Sequence, residues 1–323
     1  MNLRYLAPAA VLMIAALAVF ALRPSGDPPE GEAVPTATGT DDHAGGAVDV
    51  DRLMADLSVL AHDSMQGRAP GTEESEAARR HIIESLQDAG VAPLGEGYER
   101  AFTIVDGGNA ANVVGVVEGT APGSIVLTAH YDHVGVRDGT IYNGADDNAS
   151  GTAAVLEIGR IVAAEPLAHS LVVVLFDAEE VGLQGARAFV STETVPLADI
   201  LLNVNLDMVS RSGGTLWAAG AHHTPALRPV LEEVALAAPA ELLLGHDQPG
   251  VPGQDDWTSA SDHGPFHAAG LPFVYFGVED HPDYHQPTDD VEQVVPSDFH
   301  ASVQTILSAL RALDAALPLE PSP

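Results

Sequence analysis

Five polar residues sit at or just beyond the ends of apolar runs: His130 (IVLTAH), Asp146 (NGADDN), Glu180 (LVVVLFDAEE), Asp207 (ILLNVNLD) and His285 (DYHQPTDD). Runs of this kind read as buried strands. In an open α/β sheet the carboxyl ends of the strands form the edge where ligands bind. A carboxylate taken out of water costs several kcal/mol unless something positive meets it. The chain has no lysine, and its 13 basic residues are all arginines scattered along the sequence. A divalent cation is the simplest way to neutralise such a cluster.

Two imidazoles and three carboxylates exceed what one catalytic zinc ion takes, because such an ion keeps a position open for water. They suit two ions if one carboxylate bridges, and the pair could then activate a shared water and polarise a carbonyl. Imidazole ligands favour zinc over magnesium. His130 and Asp132 face the same way along an extended segment, so Asp132 can orient the His130 ring. The same alternation turns His133 away. Glu179 and Glu180 are adjacent and must diverge, so one can bind metal while the other meets the bound water as a general base. The segment 143–151 (NGADDNASG) reads either as an Asx-rich helix cap or as a loop that sets Asp146 between the metals.

The elements that must position these groups alternate. Helical spacing covers 50–60, 73–89 (capped by Thr72 and stopped at Gly90), 151–164, 182–190, 225–237 and 297–317. Strand-like runs cover 98–105, 112–117, 124–129, 170–176, 200–206, 215–219 and 272–278. This pattern predicts a three-layer α/β/α domain around a mixed, mostly parallel sheet. Segment 245–256, rich in Gly, Pro and Asp, reads as a surface loop.

Bulk properties narrow the class. The 323 residues are 46% hydrophobic, enough for a large core. The formal net charge of −33 repels nucleic acid and anionic lipid, which removes both as partners. The absence of cysteine excludes disulfides and thiolate chemistry. Arg4 and the apolar run 6–22 fit a signal peptide or N-terminal membrane anchor over 1–23. A flexible acidic Pro/Gly tether is expected over 24–47, the folded domain over 48–318 and a short tail over 319–323. This predicts an exported chain: periplasmic, extracellular or anchored to the outer face of the cytoplasmic membrane. Membrane contact is expected only through the N-terminal segment.

The motifs AHYDHVG, NGADDNASG, FDAEEVGLQGA, NLDMV and YHQPTDD, in that order and preceded by GRAPGT, resemble the co-catalytic zinc aminopeptidases of the M28 peptidase family. Each motif alone is weak, but five in order are specific. The resemblance spans roughly 50–315. It implies two zinc ions, with His130 and Asp207 on one, Glu180 and His285 on the other, and Asp146 on both. It further implies Glu179 as general base, Asp132 as the orienting acid and Tyr284 as a phenol beside the developing oxyanion. It places a cis peptide at Asp146–Asp147. The consecutive Ser261, Asp262 and His263 resemble a structural run before the last strand and do not form a hydrolase triad. His62, His222 and His223 are expected in turns or at the surface. The function so implied is hydrolysis of N-terminal residues from peptides. The alternatives are a single-zinc glutaminyl cyclase of the same fold and a catalytically silent binding ectodomain.

Overall fold

A computed structural model describes residues 46–105 and 107–319. The segments expected as signal or anchor (1–23), most of the tether (24–45) and the last four tail residues lie outside them. Among the described residues, no helix is long and apolar enough to cross a membrane.

In chain order the strands are β1 (Ala92–Pro93), β2 (Glu99–Thr103), β3 (Asn109–Val117), β4 (Ala121–His130), β5 (Gly135–Arg137), β6 (Thr140–Tyr142), β7 (His169–Phe176), β8 (Ile200–Leu206), β9 (Thr215–Ala219), β10 (Glu241–Leu244) and β11 (Phe273–Gly277). The helices are α1 (Val50–Leu60), α2 (Glu73–Asp88), α3 (Gly151–Ala164), α4 (Gln184–Ser191), α5 (Leu227–Ala235), α6 (His263–Ala268) and α7 (Pro296–Ala316).

The most apolar run in the chain becomes β7, and its alternation explains the layering. Leu171, Val173 and Leu175 enter one apolar cluster, whereas Val172, Val174 and Phe176 enter another. A strand covered on both faces needs apolar residues at every position, which is why the run is continuous rather than alternating. On the first face the strands meet Leu53 and Leu57 of α1, Ile158 of α3 and Ile306 of α7. On the second they meet Ala186 and Phe189 of α4 and Phe266 of α6. Phe176 and Phe189 pack edge to face with centroids 5.7 Å apart. Each such buried side chain contributes about 1.5–3 kcal/mol.

The sheet order is β1-β3-β7-β4-β8-β11-β9-β10, with β2 paired to β3. The expected three-layer mixed architecture is present. The central strands β7, β4, β8 and β11 run parallel, and antiparallel pairings to β3 and β9 flank them. The carboxyl ends of the four central strands therefore share one edge.

Helices α1 and α3 and strands β8 and β9 fall where the periodicity put them. Thr72 caps α2 by accepting the Ser75 N–H at 3.1 Å, with Glu73, Glu74 and Glu76 in the first turn. The β5–β6 hairpin, β10 and α6 have no counterpart in the sequence reading, because each is too short to show a period. Segment 245–256 is irregular, as expected, but it is tied to the body through the buried His246 and Asp247.

Candidate active site

Sheet register brings the first groups together. Thr128 of β4 is level with Asn205 of β8, so the residues two further on, His130 and Asp207, lie side by side. His130 Nε2 is 3.3 Å from Asp207 Oδ1. On the other flank, His130 is level with Phe176 at the end of β7, which sets the turn carrying Glu179 and Glu180 beside the same edge. Ligand atoms of His130, Glu179 and Asp207 all lie within 4.8 Å of one another.

The carboxylate between the histidines belongs to Asp147, not to Asp146. Asp147 Oδ1 is 3.4 Å from His130 Nε2, and its Oδ2 is 3.0 Å from His285 Nε2. Asp146 faces the opposite way. Its Oδ1 accepts from the Ser210 N–H at 2.8 Å and the Ser210 hydroxyl at 2.7 Å, and its Oδ2 is 3.1 Å from His281 Nε2. The cis peptide correspondingly lies at Asp147–Asn148, one residue beyond the expected position. The physical reason is the backbone path before α3. Gly144 takes φ +58°, and Asp147 and Asn148 leave helical geometry. The two carboxylates therefore point to opposite sides, a choice that spacing along the chain does not reveal. Gly144 itself is required, because a Cβ there would run into the Asp147 carbonyl and the His133 ring.

His285 and Glu180 form the second half, with Nε2 3.3 Å from Glu180 Oε2. The other oxygen, Oε1, lies 2.7 Å from Nδ1 of His133. His133 is fully buried and inside the site, against the expectation that it turns away. Strand β4 ends at His130, so the two-residue alternation no longer governs the next three positions.

Asp132 does its work through both of its ends. Its backbone carbonyl is 3.1 Å from His130 Nδ1 and fixes the ring. Its carboxylate, 3.7 Å from that nitrogen, instead accepts the backbone N–H groups of Glu179 at 3.0 Å and Glu180 at 3.3 Å. Tyr284 is half-buried, stacks on the His285 ring with centroids 4.1 Å apart, and lines the cleft. Ser261 accepts from Asn205, while His263 lies 2.8 Å from the Trp257 carbonyl and stacks on Phe273. Ser261 and His263 are thus tied to the surrounding scaffold, whereas the buried Asp262 carboxylate has no hydrogen-bond partner. His62, His222 and His223 are exposed in turns.

Electrostatics follow from crowding. Burial drives the Glu179 carboxyl well above its usual range, with Asp262 and Asp207 adding to the rise and His130 opposing it. Burial also acts to raise Glu180, but His133 and His285 outweigh it and hold that carboxyl far below normal. Burial pulls His130 down, yet Asp207 and Glu179 overcome it and favour a cationic ring. The crowded carboxylates thus rely on the neighbouring imidazoles for positive charge, a need that a bound cation would also meet.

The donors fit zinc. Two atoms bound at about 2.0–2.1 Å to a tetrahedral ion lie roughly 3.3 Å apart. His130 with Asp207 and Asp147, and His285 with Glu180 and Asp147, are separated by 3.0–3.4 Å. Buried His133 nitrogens and Glu180 Oε1 lack hydrogen-bond partners, which also fits a cation between them.

Arg68, from the GRAPGT turn, is a further positioning group that the motif alone did not disclose. It is fully buried and donates to the carbonyls of Leu60 (2.6 Å), Tyr131 (2.7 Å), Asn143 (2.7 Å) and Gly144 (3.0 Å). Burial lowers its pKa to about 10, so it stays cationic and ties the loop after β4 to the loop carrying Asp147. An arginine between turn glycines, ahead of an acid-rich site, was the available signal.

A cleft of about 340 Å³ opens over these groups. Its floor holds His130, Asp147, Glu179, Glu180, Asp207 and His285, and an apolar wall comes from Leu183, Met208, Trp257, Tyr275 and Val278.

Comparison with known proteins agrees with this picture. Aminopeptidase YwaD of Bacillus subtilis (strain 168) is 32% identical over 187 residues, a match covering 54% of this chain and 37% of that protein's length. BSAP, a zinc aminopeptidase from Bacillus subtilis, superposes with a TM-score of 0.67 at 18% identity, covering 82% of this chain and 95% of that one. A glutaminyl cyclase from Porphyromonas gingivalis gives 0.69 at 20% identity, covering 84% and 100%. The LapA aminopeptidase of Legionella pneumophila gives 0.66 at 17% identity, covering 85% and 73%. These superpositions establish the fold. The family model for Peptidase family M28 matches residues 112–310, from β3 into α7 and across both halves of the acidic edge, and the chain belongs to that family.

Proposed function

We propose that this chain is a zinc-dependent aminopeptidase that removes N-terminal residues from peptides and holds two ions. The observation that carries this reading is the convergence of two donor sets, His130 with Asp207 and His285 with Glu180, on the single carboxylate of Asp147. Zinc bound there would supply an acidified water and a Lewis acid for the scissile carbonyl. Two complete donor sets favour this over a one-ion glutaminyl cyclase or a silent binding domain.

The chain's own groups supply the rest. Glu179, raised by burial and set beside His130 and Asp207, takes a proton from the attacking water and returns it to the leaving amine. Asp132 holds the backbone of Glu179 and the ring of His130 in place. Tyr284, at the cleft wall beside His285, donates its hydroxyl to the oxyanion.

The wall of the cleft favours amino-terminal over carboxy-terminal substrates. Two zinc ions would offset the four floor carboxylates, which leaves Asp280 at the wall to meet a positively charged terminal amine, and no arginine is among the lining residues to pair a terminal carboxylate. The apolar wall suits a hydrophobic side chain on the first residue. The run at 6–22 supports export from the cytoplasm, with or without retention as an anchor.

The test is hydrolysis of a panel of aminoacyl-nitroanilides and their N-acetylated counterparts, with chelator and zinc add-back. Activity that chelator abolishes and zinc restores, confined to free amines, supports the reading. Equal cleavage of acetylated substrates, or turnover indifferent to chelator, overturns it. Elemental analysis with an N-terminal glutamine cyclisation assay separates the one-ion alternative.

A further inference from the structure

His133 stands apart from the two donor sets described above, and its surroundings are unusual. The ring is fully buried, and neither nitrogen has a hydrogen-bond partner. Nδ1 faces Glu180 Oε1 at 2.7 Å and Asp147 Oδ2 at 3.8 Å. The short contact to Glu180 lacks hydrogen-bond alignment, since Oε1 is itself unpartnered. A nitrogen lone pair held against a carboxylate oxygen is repulsive unless a proton or a cation lies between them, and without hydrogen-bond alignment a shared cation meets that need better than a proton does. The ring is also pinned. Gly144 packs so closely on its Cγ and Cδ2 that even a Cβ at that position would collide. His285 also packs against it, edge to face, with centroids 5.7 Å apart. Ligand atoms of His133, Asp147 and Glu180 come within 4.8 Å of one another, while Glu180 turns its second oxygen to His285.

We infer that His133 is an additional imidazole ligand of the metal site that Glu180 and Asp147 help to form. This inference rests on the two-ion reading and extends it. The Glu180 side of the site would then have two imidazoles, from His133 and His285, against the single imidazole of His130 on the Asp207 side. Imidazole binds zinc more firmly than carboxylate alone, so the two positions differ in affinity and fill in order, the Glu180 side first.

The chain contains no cysteine, which gives a direct spectroscopic test. His133→Cys introduces a single thiol, and a thiolate that binds Co²⁺ produces a sulfur-to-metal charge-transfer band in the near ultraviolet. The full chain is stripped of metal, checked for folding by circular dichroism, and titrated with Co²⁺. The expected result is this band rising with the first equivalent. In parallel, Zn²⁺ titration of His133→Ala against a chromophoric chelator should lose more than the ~10–100-fold that removal of an outer partner costs, at the tighter position only. A folded His133→Cys variant that binds Co²⁺ without the band overturns the inference, as does a His133→Ala variant whose two affinities match wild type. If wild-type protein binds two ions and cleaves aminoacyl amides in that case, only the His133 role is lost. If wild type binds no metal, both readings fall.

Discussion

The carboxylate of Asp132 accepts the backbone N–H of Glu179 at 3.0 Å, so Asp132 grips the main chain of the proposed general base rather than its side chain. The same carboxylate takes the N–H of Glu180, and the Asp132 carbonyl fixes His130. One residue therefore sets the geometry of both halves of the site. Asp132→Ala should lower kcat about 10–100-fold, the usual scale for loss of such a support, with a smaller effect on KM. Steady-state kinetics check this, and a change confined to KM would contradict it.

Glu179→Gln keeps the size of the side chain but cannot accept a proton. A positioned general base contributes about 10²–10⁴-fold. The variant should retain its zinc while turnover falls on that scale. Elemental analysis beside single-turnover rates decides the matter, and a wild-type rate at full metal content would remove Glu179 from the role.

The adjacent aspartates should behave differently. Asp147→Asn takes the shared carboxylate from between His130 and His285, and metal content should drop by at least one ion. Asp146→Asn leaves the metals in place but weakens the contacts to Ser210 and His281, lowering thermal stability. Metal analysis and a melting curve on both variants test this. The reverse pattern would restore Asp146 to the centre.

Arg68→Met buries four carbonyl oxygens without their donor. Breaking a buried charged arrangement costs about 3–5 kcal/mol. At about 2–4 °C per kcal/mol for a domain of this size, the melting temperature should fall by roughly 10 °C. Arg68→Lys should recover little, because an ammonium cannot reach four fixed acceptors. Calorimetry on chelated protein keeps this separate from metal loss.

The acid limb of stability should include Asp56, which pairs with Arg160 at 2.7 Å and His81 at 2.9 Å. Burial raises its pKa, but His81 and Arg160 more than offset this and hold it below 3.8. A folded pKa below the unfolded one means that the stabilisation is present above pH 3.8 and lost as pH falls through the folded value. Asp56→Asn should therefore cost about 2 kcal/mol at pH 7 and progressively less below pH 4. Urea unfolding of the chelated proteins at several pH values measures it. A difference that does not change with pH would exclude the ion pair as its source.

Local chemistry was legible in the linear chain wherever a run was long enough to show its period. The apolar run of β7, the cap at Thr72 and the spacing of α1 and α3 follow from side-chain volume and hydrogen-bonding capacity alone. So does the placing of His130, Glu180 and Asp207 at one edge, because parallel strands must end together. Short elements such as the β5–β6 hairpin and α6 carry too few residues for a period, and only their packing against longer elements creates them. The choice between Asp146 and Asp147 was likewise invisible. Both are aspartates in a turn, and the backbone path through Gly144 and Asn148 alone determines which one faces the histidines. His133 entered the site because β4 stops at His130, and Arg68 because four carbonyls from separated segments converge on it. Residue type and order determined which chemistry was available here. The folded backbone decided which of neighbouring, equally capable groups could reach it, because direction depends on torsion angles that distant contacts set.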